Sequence, residues 1–160
     1  MTLRLRPARS TDAGKLGAMI SDAVAARPWK PRLHTGAEDI AFCGAMIDRG
    51  WVTVALLDER VAGFLARDGD DVNALFVTPN AQGKGVGGAL LRDAMQARAR
   101  LVLWTFLANE GARQFYDRYG FVERARGDGS GNEEGLPDIQ LEWQATRNRP
   151  DGAKKETPDG

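Results

Sequence analysis

The stretch from residue 75 to residue 91 decides the fold. It reads Leu75-Phe76-Val77-Thr78-Pro79-Asn80-Ala81-Gln82-Gly83-Lys84-Gly85-Val86-Gly87-Gly88-Ala89-Leu90-Leu91. An apolar, β-prone run stops at Pro79, a polar and glycine-rich turn follows, and an apolar helix then begins. A strand that enters a helix through such a loop offers free backbone N–H groups to an anion. This stretch therefore predicts a site for a phosphate-bearing ligand.

The composition of the 160-residue chain is that of a globular protein with 42% hydrophobic and 28% charged residues. The formal net charge is zero, which argues against binding to nucleic acid or to an anionic membrane. The single cysteine, Cys43, excludes an internal disulfide and a multi-cysteine metal site, and it suits a reducing, cytoplasmic setting. We predict a single domain over residues 1–144 and a disordered polar tail over residues 145–160.

The pattern of apolar residues predicts a mixed sheet with helices on its faces, in the order β-α-α-β-β-β-α-β-α-β-β. Thr35-Gly36-Ala37-Glu38 fits a capping box that starts the second helix. That helix carries apolar residues on one face, namely Ala37, Ile40, Ala41, Gly44 and Ile47. Three apolar runs with hairpin-sized breaks, at 51–57, 61–66 and 72–77, predict an antiparallel meander. Helices from the glycine loop to about residue 98 and from residue 109 to 119 alternate with strands at 101–106, 121–125 and 139–143.

The glycine loop also satisfies the G-x-G-x-x-G pattern of dinucleotide-binding folds through Gly83-Lys84-Gly85-Val86-Gly87-Gly88. However, five residues separate Val77 from Gly83, whereas the dinucleotide turn follows its strand at once. Hairpins rather than crossovers also join the strands before the loop. A dinucleotide-binding oxidoreductase is therefore the weaker alternative.

A different pattern, Q/R-x-x-G-x-G/A, is matched by Gln82-Gly83-Lys84-Gly85-Val86-Gly87 after Val77-Thr78-Pro79. Here the chain resembles the GCN5-related N-acetyltransferase (GNAT) superfamily. A second segment looks like that superfamily's second cofactor segment, Asn109-Glu110-Gly111-Ala112-Arg113-Gln114-Phe115-Tyr116-Asp117-Arg118-Tyr119-Gly120-Phe121. The resemblance covers about residues 3–143. It implies an α/β (α+β) fold with a mixed, mostly antiparallel sheet of six to seven strands and helices on both faces.

The resemblance implies an enzyme that transfers acetyl from acetyl-CoA to a primary amine by direct attack in a ternary complex. The implied acceptor is a small-molecule or peptide amine, and no nucleic acid, membrane or metal is involved. Dimers are common in the superfamily, so a homodimer is one option for this chain. The main alternative is a non-catalytic acyl-CoA-binding or sensing module on the same fold.

The resemblance also assigns cofactor residues. The backbone of Gln82 to Gly88 would hold the coenzyme A pyrophosphate, with Lys84 either adding charge or simply solvated. Leu75, Phe76 and Val77 resemble the superfamily's splayed strand, whose backbone pairs with the pantetheine arm, and the Val77 N–H would stabilise the thioester oxygen. Asn109 and Ala112 would contact the cofactor too, although Asn109 also fits a plain helix N-cap.

Tyr116 is predicted to be the general acid, because a phenol with a pKa of about 10 can protonate a departing thiolate. Its alternative role is packing against Phe115. The general base is open between Asp71, which also suits a hairpin turn, and Glu134 in the loop before the last strand.

Acceptor contacts are predicted in two loops. The loop before the last strand supplies Glu133, Glu134 and Asp138, whose carboxylates would bind or deprotonate a cationic amine; the alternative is a solvated acidic turn. The loop between the first two helices supplies His34, the one histidine of the chain, for which a surface position is the alternative.

Overall fold

Residues 1–146 are described by a computed structural model, and this part of the chain forms seven strands and four α-helices. In chain order the elements are β1 (Leu3–Pro7), α1 (Ala13–Ala25), α2 (Gly36–Asp48), β2 (Val52–Leu57), β3 (Arg60–Asp68), β4 (Asp71–Val77), α3 (Val86–Ala97), β5 (Arg100–Phe106), α4 (Glu110–Arg118), β6 (Val122–Gly127) and β7 (Asp138–Gln144). Short 3₁₀ turns at Ser10–Asp12 and Pro79–Ala81 precede α1 and the glycine loop. The predicted element order is confirmed.

The strands form one sheet in the order β1-β2-β3-β4-β5-β7-β6. The pairs β1–β2, β2–β3, β5–β7 and β6–β7 are antiparallel, and β4 pairs with β5 in parallel through Asp71 and Val102. The sheet is therefore mixed and mostly antiparallel, as predicted. The chain divides into two compact units: a first unit of Met1–Asp68 with Asn73–Leu91, and a second unit of Gly69–Val72 with the residues from Arg92 on.

The first unit has a core of buried apolar side chains contributed by α1, α2, β2, β3 and β4. Its members are Leu16, Cys43, Met46, Val52, Val54, Phe64, Ala66 and Ala74. The ring of Phe64 stacks on that of Phe76 with 5.6 Å between centroids. Because Phe64 of β3 and Phe76 of β4 stack on each other, the end of β4 that leads into the glycine loop is anchored in this core.

Helix α2 buries a different face from the one its apolar spacing predicts. The buried residues are Asp39, Cys43 and Met46, whereas Ile40 is 41% exposed. A carboxylate can enter this interface because the Ser21 hydroxyl donates a 2.6 Å hydrogen bond to Asp39 Oδ2. Cys43 is a core residue, and burial together with the nearby Asp39 carboxylate raises the pKa of its thiol to about 11.

Local signals place the ends of the early elements as predicted. Thr35 Oγ1 accepts from the Glu38 N–H at 3.1 Å, and Glu38 Oε1 accepts from the Thr35 N–H at 2.8 Å, which completes the predicted capping box. Asp58 and Glu59 take positive φ values of 50° and 65° in the β2–β3 hairpin. Two left-handed residues match the twist of adjacent strands, so this turn sets the hairpin.

The second unit contains α4 and the strands β5, β6 and β7. Its buried apolar residues include Leu101, Leu103, Tyr116, Phe121, Ile139, Leu141 and Trp143. Most of the tail predicted at residues 145–160, from residue 147 on, lies outside the described residues. The Ala145 N–H donates a 2.9 Å hydrogen bond to the Ala99 carbonyl. The single-domain boundary at residue 144 stays a prediction.

Candidate functional site

The glycine loop lies between the turn at Pro79–Ala81 and the start of α3. Gly83 and Gly85 have φ values of +78° and +83°, a region that side chains disfavour. A Cβ at either position would meet nothing within 4 Å. The two glycines are therefore required by backbone conformation rather than by a close neighbour, and the space in front of the loop is open.

The start of α3 presents backbone donors at this loop. The Ala89 N–H donates to the Gly85 carbonyl at 3.0 Å, so the N–H groups of Val86, Gly87 and Gly88 come before the first helical hydrogen bond. Lys84 is exposed beside them. A helix N-terminus with such donors and a neighbouring ammonium group favours an anion such as a pyrophosphate. The predicted loop residues Gln82 to Gly88 are thus brought together in one unit.

Gly63 on β3, which was not predicted from the sequence as a site residue, lies against the strand end and the helix start on either side of this loop. A Cβ at Gly63 on β3 would stand 2.7 Å from the Phe76 carbonyl oxygen and 3.1 Å from Val86 Cγ1. The absence of a side chain at residue 63 lets the end of β4 and the first residue of α3 lie close to β3. An isolated glycine within a strand was the available signal, because it often marks close approach of another backbone.

The end of β4 carries the three strand residues that were predicted to line the cofactor. Leu75, Phe76 and Val77 are half-buried on β4. The Gln82 side-chain amide donates to the Val77 carbonyl at 3.4 Å, and the Thr78 N–H donates to the Ala62 carbonyl at 2.8 Å. These bonds fix the strand end with respect to the loop that follows it.

In the second unit, Asn109 caps α4. Its Oδ1 accepts from the Ala112 N–H at 3.1 Å, so the side chain serves as the N-cap. Ala112 is half-buried in the first turn of the helix. The Arg113 guanidinium donates to the Leu107 carbonyl at 3.0 Å and ties the loop before the helix to its second turn.

Tyr116 is buried on α4, with 8% of its surface exposed. Its ring packs edge-on against Phe115 and Phe121, with centroids 5.2 Å away in each case. Burial raises the pKa of the phenol, so the group holds its proton at neutral pH. Among residues 1–146 the Tyr116 hydroxyl has no hydrogen-bond partner. A buried hydroxyl in this state is suited to donate to a group that is not part of the chain.

The acidic loop before β7 is built around Asn132, which the sequence analysis did not single out. The Asn132 amide donates to the Leu136 carbonyl at 2.9 Å and to Asp138 Oδ2 at 3.1 Å, and it accepts from the Leu136 N–H at 3.3 Å. Asp138 and Glu134 are half-buried and Glu133 is exposed. Asparagine in a glycine-rich turn is a known local hydrogen-bonding signal and could have indicated this role.

The other two predicted residues are Asp71, in the second unit, and His34, in the first unit. Asp71 is the exposed first residue of β4, and the neighbouring Asp70 pairs with Arg98 at 2.8 Å. His34 lies in the loop before α2 in the first unit, with its Nδ1 3.9 Å from Glu38 Oε1 and 44% of its side chain exposed.

Glu142 is a buried carboxylate on β7 that was not predicted as a site. Arg100 and Arg124 both bind its Oε2, the latter at 3.1 Å, and only 4% of the residue is exposed. The hydrogen bond from Arg100 and the charges of the two arginines lower the pKa of Glu142 to about 2. The carboxylate stays charged at all moderate pH values and acts as a structural anion.

A groove of about 630 Å³ runs along α4 in the second unit, with Glu110, Arg113 and Asp117 on its helix side and Phe121, Ile139 and Leu141 on its strand side. None of the predicted catalytic or binding residues lines it. Within residues 1–146 no cluster of three or more His, Cys, Asp or Glu side chains could hold a metal ion. None of the helices in the same range is long and apolar enough to cross a membrane.

Comparison with known families agrees with this architecture. Residues 48–123 match the family model described as acetyltransferase (GNAT) domain. An uncharacterized N-acetyltransferase of Archaeoglobus fulgidus is 32% identical over an alignment of 102 positions that covers 54% of this chain and 69% of that protein. The peptidyl-lysine N-acetyltransferase YjaB of Escherichia coli is 36% identical over 76 residues, 48% of this chain and 51% of YjaB. The chain thus spans about half the length of its YjaB relatives.

Solved structures share the fold at low sequence identity. The solution structure of apo YjaB from Escherichia coli superposes with a TM-score of 0.74 at 24% identity, covering 89% of this chain and 97% of YjaB. The structure of yncA from Salmonella typhimurium with its cofactor acetyl-CoA gives a TM-score of 0.69 at 21% identity, covering 99% of both chains. On the glycine loop, the element order and these matches, the chain belongs to the GCN5-related N-acetyltransferase (GNAT) superfamily.

Proposed function

We propose that the chain is an acetyl-CoA-dependent N-acetyltransferase that acetylates a primary amine by direct attack in a ternary complex. The observation that carries the proposal is the glycine loop. Gly83 and Gly85 hold a left-handed backbone with open space in front, next to the donors at the start of α3. The donors and Lys84 fit a coenzyme A pyrophosphate, because both supply positive potential to a multiply charged anion.

Bound acetyl-CoA would supply the acetyl group as an activated thioester. The loop backbone from Gln82 to Gly88 then binds and orients it. The Val77 N–H is the proposed donor to the thioester oxygen, where negative charge grows during attack. Leu75, Phe76, Asn109 and Ala112 are the further proposed cofactor contacts.

Tyr116 is the proposed general acid. Burial keeps the phenol protonated at neutral pH, so a proton is present when the coenzyme A thiolate leaves; because the raised pKa makes the phenol a weaker acid than the thiol that forms, the transfer has to be coupled to departure of the thiolate. The attacking amine must lose a proton, and Asp71 and Glu134 are the proposed candidates for accepting it. The variants Asp71→Asn and Glu134→Gln identify the carboxylate that serves as the base. The variant that removes the base is expected to have a lower acetylation rate at neutral pH and a rate profile shifted to alkaline pH.

The acceptor is proposed to be a small-molecule or peptide amine. Support for a lysine amine comes from the YjaB relatives, which are named peptidyl-lysine N-acetyltransferases. Aliphatic amines of this kind carry positive charge at neutral pH, and the carboxylates in the loop before β7 suit such a group.

The test has two steps. Acetyl-CoA is expected to raise the melting temperature, whereas NAD is expected to leave it unchanged; stabilisation by NAD alone would contradict the proposal. Thiol release is then followed over a panel of lysine peptides and small amines. Release that depends on the amine identifies an enzyme, while binding without release over the panel would favour the non-catalytic acyl-CoA-binding module.

A further inference from the structure

One face of the sheet in the second unit carries an exposed indole. Trp104 on β5 is 51% exposed, although Leu103 before it is buried. Among residues 1–146 its ring makes no ring contact, ion pair or hydrogen bond. The exposed indole offers an aromatic surface on which a ligand could pack.

The strand register places a carboxylate on the same face. Trp104 pairs with Gln140 and Phe106 with Asp138 across β5 and β7, and Asp138 pairs with Gly127 across β7 and β6. Cross-strand partners, and residues two apart along a strand, share one face of a sheet. Trp104, Asp138 and Gly127 therefore lie on a single surface, with β7 in the middle.

The absence of a side chain at Gly127 brings the indole and the carboxylate together. A Cβ there would overlap Asp138 Oδ1 and would stand 3.8 Å from Trp104 Cζ3. The indole starts on β5, so it must extend across β7 to reach this point near β6. Asp138 Oδ1 thus occupies the space that a side chain at residue 127 would need, and the Trp104 ring lies beside it.

The carboxylate is fixed in place and lacks a cationic partner. Asn132 donates to Asp138 Oδ2 at 3.1 Å. The Leu107 N–H donates to the carbonyl of Pro137, the residue before Asp138, at 3.0 Å. Within residues 1–146 no lysine, arginine or histidine pairs with Asp138. The nearby arginines on this face, Arg100 and Arg124, both bind Glu142 instead.

We infer that Trp104 and Asp138 form the binding subsite for the cationic alkyl chain of the acceptor, such as a lysine side chain. The methylene groups and the ammonium group lie over the exposed indole face, and the ammonium group also pairs with Asp138 Oδ1. An indole face attracts a cation, and a fixed carboxylate adds direct charge pairing. The inference rests on the proposed amine acetylation, and it adds Trp104 as a specificity-determining residue.

The binding test uses the full chain without acetyl-CoA. The indole N–H signal of Trp104 is assigned by NMR with Trp104→Phe, and the protein is titrated with Nα-acetyl-lysine methylamide or with the uncharged Nα-acetyl-norleucine methylamide. Only the lysine probe is expected to shift this signal, and Asp138→Asn is expected to weaken its binding about fivefold or more. Asp128→Asn, in the same loop but bonded to the Ser130 N–H, is the matched control. Equal shifts with the norleucine probe, or unchanged binding in Asp138→Asn, would overturn the inference.

A kinetic test separates this inference from the proposed function. Trp104→Leu is expected to raise the KM for a lysine amine about fivefold while the KM for acetyl-CoA stays unchanged, and Trp104→Phe is expected to restore part of the loss. If the enzyme acetylates amines but these variants leave the amine KM unchanged, the subsite is wrong. If the lysine probe binds as described but no acetyl transfer occurs, the proposed function fails and the subsite stands.

Discussion

Gly85→Ala offers a sharp test of the glycine loop, because its cost can be worked out from the backbone alone. Gly85 has a φ of +83°, and a Cβ there would meet nothing within 4 Å. The substitution therefore adds no steric overlap with neighbours. It adds the penalty of a left-handed backbone for an L residue, which is about 1–2 kcal/mol.

This penalty is expected to appear in cofactor affinity more than in stability. The loop at residues 82–85 is exposed, so the free protein can relax the strained residue toward negative φ. Binding of acetyl-CoA by the backbone N–H groups requires the left-handed conformation at residue 85. The binding free energy is therefore weakened by the full conformational penalty. At about 1.4 kcal/mol for each factor of ten, the dissociation constant should rise about 5- to 30-fold.

Isothermal titration with acetyl-CoA measures this effect, and Gly50→Ala is its matched control. Gly50 has a φ of +75° with nothing within 4 Å, and it follows α2 in the same unit. The control is expected to lower the melting temperature and to leave acetyl-CoA affinity unchanged. A dissociation constant for Gly85→Ala within about twofold of the wild type, or an equal loss of affinity in Gly50→Ala, would refute the reasoning.

Three further predictions concern single residues. Tyr116→Phe is expected to lower kcat about tenfold or more with acetyl-CoA affinity nearly intact, and an unchanged kcat would remove Tyr116 as the acid. Gly63→Ala is expected to lower both the melting temperature and acetyl-CoA affinity, because its Cβ would stand 2.7 Å from the Phe76 carbonyl; wild-type values for both would contradict the supporting role. Glu142→Gln is expected to cost about 1.5–3 kcal/mol of unfolding free energy at pH 7, as measured by urea denaturation. Because the pKa of Glu142 is lowered from 4.5 to about 2, its charge contributes stability above about pH 4.5 and loses that contribution as pH falls toward 2. The difference between wild type and variant should therefore shrink over that range, and a constant difference would exclude the ionised carboxylate as the cause.

The local signals of the sequence were sufficient wherever structure depends on a few adjacent residues. The capping box at Thr35, the turn at Asp58 and Glu59, and the left-handed positions of the glycine loop are set by hydrogen bonds and φ preferences within a short segment. These signals predict the element order and, through the glycine loop, the class of phosphate ligand. They depend on backbone chemistry that does not require knowledge of distant residues.

The packing of α2 could not be predicted from spacing. The apolar stripe that contains Ile40 is largely exposed, and the buried stripe includes Asp39. On the buried face, Asp39 accepts a hydrogen bond from Ser21 on α1, eighteen residues earlier in the chain. From the sequence alone a carboxylate is expected at the surface, because burial requires a hydrogen-bond partner that the sequence does not reveal.

The sequence by itself determined the order of the elements and the superfamily, and it predicted the glycine loop as the anion site. Only the tertiary structure decided that Gly63 gives room to Phe76 and Val86, and that Gly127 gives room to the Asp138 carboxylate beside Trp104. The physical reason is that a glycine's local effect on φ can be read from neighbouring residues, whereas the space it leaves is filled by strands that pair from far along the chain.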